Sequence, residues 1–137
     1  MKYGIAAVIV VVAAVGGFFL LGKPASNSPA GNNEQSQASL SFQTVQSDVS
    51  AGGQLLDVRT VEEFQDGHIE GATNLPLQSI QSGESPVAQK DKTVYVYCRS
   101  GNRSAQASEL LKQAGYQHVV DLGAMTAVQS LGGQVTK

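Results

Sequence analysis

The sequence predicts an α/β domain, a central and mostly parallel sheet with helices on both faces, preceded by one N-terminal transmembrane or signal helix. Three observations predict it. Runs rich in β-branched and aromatic residues at 54–58, 93–97 and 119–122 are largely continuous in hydrophobicity, as strands buried on both faces must be. Segments with helical spacing and glycine stops lie between those runs. Ahead of them, residues 3–22 carry no charge and are bracketed by Lys2 and Lys23.

The N-terminal segment comes first. Residues 5–21 are almost wholly Ala, Val, Ile, Phe, Leu and Gly, and a helix of about 20 residues spans about 30 Å, the thickness of a bilayer's hydrocarbon core. The segment is apolar all round, which a half-buried core helix is not. We read residues 1–22 as an uncleaved anchor. A cleaved signal peptide is the alternative, with Ala13, Ala14, Gly16 and Gly17 offering a small-residue site. Residues 23–38 are rich in Ser, Asn, Gln, Ala, Gly and Pro and read as a flexible tether with a reach of roughly 20–25 Å. The expected location is the extracytoplasmic side of the membrane, because a three-residue head is easily left in the cytoplasm, although Lys2 and Lys23 give only a weak charge bias.

Residues 39–137 form the expected domain. Helices are predicted at 44–51, stopped by Gly52 and Gly53, at 61–65, at 103–114 and at 125–131, stopped by Gly132 and Gly133. The third is the clearest: Ala107, Leu110, Leu111 and Ala114 share one face, and Gly115 offers a left-handed stop. Strands alternating with helices place sites at the carboxyl ends of strands.

Charge and cysteine count exclude other classes. The domain carries seven basic against ten acidic residues, net −3, which argues against a nucleic-acid surface. Cys98 is the single cysteine, so no intramolecular disulfide can form and any chemistry at its sulfur ends on an external acceptor. His68 and His118 lack ligand spacing, and neither a metal nor a cofactor is expected.

Cys98 follows the strand Val94-Tyr95-Val96-Tyr97, and the loop Arg99-Ser100-Gly101-Asn102 leads into the helix near Arg103. Backbone N–H groups in such a loop, together with a helix N-terminus, form an anion cradle that favours thiolate over thiol. Arg99 and Arg103 add positive charge. Gly101 supplies backbone freedom at the tightest point, and Asn102, which tolerates left-handed geometry, is expected to help close the turn. A lone cysteine is more often a small buried hydrophobe. Two arginines and a glycine within five residues at a strand-to-helix turn are poorly explained by packing alone.

At this point the chain resembles the rhodanese superfamily. The resemblance covers nearly all of residues 39–137 and rests on several motifs in order. They are Leu55-Leu56-Asp57-Val58-Arg59 followed by Glu62, Glu63 and Phe64; Gly67-His68-Ile69-Glu70-Gly71-Ala72-Thr73-Asn74-Leu75-Pro76; Cys98-Arg99-Ser100-Gly101-Asn102-Arg103; Gly115-Tyr116 through Leu122; and Gly132-Gly133. The resemblance implies a rhodanese-like layered domain and a thiosulfate sulfurtransferase, in which Cys98 takes a sulfur from a small anionic donor as a persulfide. A thiol, cyanide or a carrier protein would then accept it. Related phosphatases and arsenate reductases place Arg after five intervening residues, whereas here Arg103 follows four and Ser104 holds the phosphatase position.

The implied site is Cys98 as nucleophile, with Arg99, Ser100, Gly101, Asn102, Arg103 and Ser104 binding substrate. Asp57 and Arg59 brace the surrounding loops. Glu62 and Glu63 are expected on a solvated helix face, Tyr95 and Tyr97 in packing, and His68 in a structural role. The family's Gly-Gly-Met stretch with a nearby Trp is replaced by Gly123-Ala124-Met125-Thr126-Ala127-Val128, which is expected to widen or flatten a pocket wall at Val128. The alternatives are a sulfur- or redox-sensing module without turnover and a small phosphatase. The partners expected are the membrane, through the N-terminal helix, and the sulfur donor and acceptor; the domain is expected to be a monomer.

Overall fold

The computed structural model describes residues 40–137. The predicted anchor and the whole of the predicted tether lie outside the described residues, among which no helix is long and apolar enough to cross a membrane.

The first helix, α1, runs Phe42–Ser50. Ser41 caps it, its Oγ accepting from the Thr44 N–H at 3.3 Å. After Gly52 and Gly53 comes β1, Gln54–Asp57, then α2, Val61–Asp66. Gly53 is required by close approach, since a Cβ there would stand 2.6 Å from the Thr93 carbonyl oxygen. Two short strands follow, β2 at His68–Ile69 and β3 at Thr73–Asn74, and then α3 at Leu77–Gln81. The chain continues through β4, Thr93–Cys98, α4, Asn102–Gln113, β5, His118–Ala124, α5, Met125–Ser130, and β6, Val135–Thr136.

Three predicted strands and four predicted helices are present, with ends displaced by one or two residues. The sequence reading omitted β2, β3, α3 and β6. Two-residue strands have no periodicity to detect, and five-residue α3 is shorter than the window in which helical spacing becomes visible.

The main sheet has the order β3-β1-β4-β5 and every pair in it is parallel, while β2 and β6 form a separate antiparallel pair. Alternation along β4 divides the core. Val94, Val96 and Cys98 face a cluster with Leu56, Ala107 and Leu111, while Tyr95 and Tyr97 face one with Phe42, Val45 and Val128. Helices α3 and α4 therefore cover one face, and α1 and α5 the other. Burial of β1 and β4 on both faces explains their continuous apolar character.

Parallel pairing also gathers the carboxyl ends of β1, β3, β4 and β5 along one edge. A register shift opposite Val96 and Tyr97 sets Cys98 beside Ala124, so the end of β5 flanks the end of β4.

Candidate active site

Cys98 is the last residue of β4 rather than the first beyond it. Its loop is held from both ends. The Gly101 N–H donates to the Cys98 Sγ at 3.0 Å, and the Ser104 hydroxyl donates to the Gly101 carbonyl at 2.9 Å. Gly101 has φ 98°, the left-handed region, and is the residue from which α4 starts. The expectation that Asn102 helps close the turn is corrected here. Asn102 is already the first helical residue, and its side chain accepts from Gln106 Nε2 at 2.6 Å one turn further on.

No side chain caps α4 at its N-terminus. Its first-turn N–H groups are therefore free to meet negative charge at the loop, as an uncapped helix start requires. Burial pushes the Cys98 thiol up, but the N–H groups of Ser104, Gly101 and Ser100 and the Ser104 hydroxyl outweigh it and bring the thiol below its ordinary value. The loop thus shifts the balance at Cys98 toward thiolate. Cys98 itself is 0 % exposed, and the rim residues Arg99, Ser100 and Asn102 are exposed above it.

The two loop arginines differ in their surroundings. Arg99 makes no ion pair among the described residues. It lines a cleft of about 300 Å³ with Arg59, Glu63 and Asp66 on one side and Met125 and Thr126 on the other. Arg103 is engaged, donating from Nη1 and Nη2 to the Glu63 carboxylate at 2.6 and 3.0 Å. Glu63 is therefore not on a solvated face as expected, whereas Glu62 is exposed. The Arg103 guanidinium holds the Glu63 carboxyl down to about 2.

Asp57 and Arg59 are paired with each other. Arg59 Nε donates to both Asp57 carboxylate oxygens at 2.9 Å, and its Nη2 donates to the Gly67 carbonyl at 2.7 Å. Asn74 Nδ2 adds bonds to the Asp57 and Arg59 carbonyls at 2.9 and 3.0 Å. Tyr97 has a polar task besides packing, because its hydroxyl accepts from the Ile69 N–H at 3.0 Å. His68 is structural as expected, with Nδ1 3.0 Å from the Phe64 carbonyl oxygen and its ring stacked on Phe64. Val128 is corrected: it is 0 % exposed in the core against Gly133, and Met125, Thr126 and Gln129 line the cleft instead.

A parallel α/β sheet ending in a cysteine loop at a helix N-terminus defines a domain able to hold a sulfur nucleophile among backbone amides. Residues 41–130 match the family model for the rhodanese-like domain, and the chain belongs to that family. It is 40 % identical over 78 residues, 56 % of this chain and 75 % of the relative, to thiosulfate sulfurtransferase PspE of Escherichia coli. The chain spans about half or less of the length of several other curated relatives. A crystal structure of a rhodanese-like domain from an Anabaena sp. protein is similar with TM-score 0.55 and 34 % identity, over 61 % of this chain and 98 % of that one. An Escherichia coli rhodanese with anions is similar with TM-score 0.53 and 33 % identity, over 62 % and 98 %.

Proposed function

We propose that this chain is a thiosulfate sulfurtransferase that moves a sulfane sulfur from an anionic donor to a thiophilic acceptor through a persulfide on Cys98. The carrying observation is the Gly101 N–H on the Cys98 sulfur, in a loop ending at an uncapped helix start. Its similarity to an Escherichia coli protein named thiosulfate sulfurtransferase supports the choice of donor.

In the first step the Cys98 thiolate attacks the outer sulfur of thiosulfate. A new S–S bond forms, the bond between the two thiosulfate sulfurs breaks, and its electron pair leaves with sulfite. The transferred sulfur carries the negative charge among the amides from Arg99 to Ser104. An acceptor, whether cyanide, a thiol or a carrier protein, then attacks that sulfur, and the bonding pair returns to Cys98. Arg99 supplies the long-range attraction for the donor.

The test is intact mass of the full-length chain in detergent after thiosulfate treatment. A gain of one sulfur, removed by cyanide with formation of thiocyanate, is expected, and Cys98→Ser should lose both. Normal sulfur transfer by Cys98→Ser would end this reading. The burial of Cys98 favours one second reading, a module that takes a sulfur and holds it. Such a module would gain the same mass without repeated turnover. A phosphatase would instead cleave an aryl phosphate and gain no sulfur.

We also propose that residues 1–22 anchor the domain to the outer side of the cytoplasmic membrane and that 23–38 tether it there. The uncharged run at 3–22 supports this. Carbonate-resistant membrane association is expected, with the domain digested by protease added to intact protoplasts. Protection from that protease would place the domain inside and overturn the proposal.

A further inference from the structure

The start of α2 and the start of α4 meet through one carboxylate. Glu63 closes a capping box, its N–H donating to Thr60 Oγ at 3.3 Å while its Oε2 accepts from the Thr60 N–H at 3.2 Å. The same carboxylate accepts both hydrogen bonds from Arg103. The two side chains are 25 % and 31 % exposed, so the contact is partly shielded from solvent, and two-point pairing adds geometric specificity. Arg103 lies between Gly101, whose N–H holds the Cys98 sulfur, and Ser104, whose hydroxyl closes the loop. A single contact thus ties the helical end of the sulfur loop to an element 40 residues earlier in the chain.

We propose that Glu63 is a positioning residue for sulfur transfer: by holding Arg103 against α2 it fixes the Gly101 amide on the Cys98 sulfur and keeps the Arg103 charge off the incoming donor. This rests on the sulfurtransferase reading and deepens it. Two simpler roles make different demands. If Glu63 only caps α2, its partner Thr60 matters equally; if Arg103 binds the donor, releasing it from Glu63 strengthens donor binding.

Steady-state transfer from thiosulfate to cyanide by the full chain separates these roles. Glu63→Gln and Arg103→Gln should each lower kcat by about tenfold or more, the scale of a small misplacement of reacting groups. The donor KM should stay within about twofold, the mark of a loss confined to the transition state. The double variant should be no slower than either single variant, because both remove one contact. Thr60→Ala should retain kcat, and Arg99→Ala should raise the donor KM. Backbone hydrogen exchange should quicken at 99–104 in Glu63→Gln while the sheet strands stay unchanged.

Normal kcat in Glu63→Gln, a lower donor KM at unchanged kcat, additive losses, or an equal loss in Thr60→Ala would each overturn the proposal. Arg103→Gln lies outside the capping box and carries the test should Glu63→Gln fail to fold. If the wild-type chain transfers no sulfur, the functional reading falls, whereas hydrogen exchange in the loop still decides whether Glu63 holds it.

Discussion

At the scale of single residues, Cys98 is caught between two opposed effects. Its place in the apolar cluster with Val96 and Ala107 disfavours charge, and the hydrogen bonds from its loop favour it. The second effect wins, so the iodoacetamide alkylation rate should rise with pH through a midpoint below 9.0, the ordinary value for the thiol. Ser104 supports the loop by donating to the Gly101 carbonyl. Ser104→Ala should raise the midpoint and slow alkylation near neutral pH by roughly 2- to 10-fold, the equivalent of one hydrogen bond at about 0.5–1.5 kcal/mol. The sign follows from thiolate being the reacting form: weaker stabilisation of the anion leaves less of it at any pH below the midpoint. An unchanged or lower midpoint would show that Ser104 does not support the anion. Arg99 is exposed to solvent, so its attraction for any anion falls with ionic strength.

At the scale of elements, the sequence was most informative where one element carries its own signal. The β4-loop-α4 unit was legible because a run buried on both faces, a glycine and a 3.6-residue pattern follow one another without a gap. The contact of Glu63 with Arg103 was not, since its partners lie 40 residues apart and paired acidic residues on a short helix usually face water. A partial signal was present in Thr60-Val61-Glu62-Glu63, whose spacing is that of a capping box. It identifies the helix start but names no second partner. Val128 was misplaced for a related reason: resemblance supplied a position on α5, and only the packing of Gly133 against that helix decides which side is buried. Tyr97 was read as packing alone because a hydroxyl's partner on a distant strand leaves no local pattern.

At the scale of the whole molecule, the parallel sheet places the brace and Cys98 on the same edge. Asp57 and Arg59 sit at the end of β1, where Arg59 donates to the Gly67 carbonyl, while the Asn74 amide at the end of β3 donates to the carbonyls of Asp57 and Arg59. Arg59 also stands 6.0 Å from the ring centre of Tyr97, the residue before Cys98. The pair is nearly water-free, with side chains 8 % and 0 % exposed, so each charge has lost its hydration and depends on the other. Asp57→Ala should therefore lower the unfolding free energy by about 3–5 kcal/mol, the usual consequence of leaving one buried charge unpaired. That is a large share of the roughly 5–15 kcal/mol that holds a domain folded. Adding Arg59→Met should recover part of the loss, because it removes the orphaned charge while keeping an apolar stem; the Gly67 carbonyl would still lack its partner. Urea unfolding of the three chains reads both steps. A double variant less stable than Asp57→Ala would show that Arg59 serves the fold through Gly67 and Tyr97 more than through the ion pair.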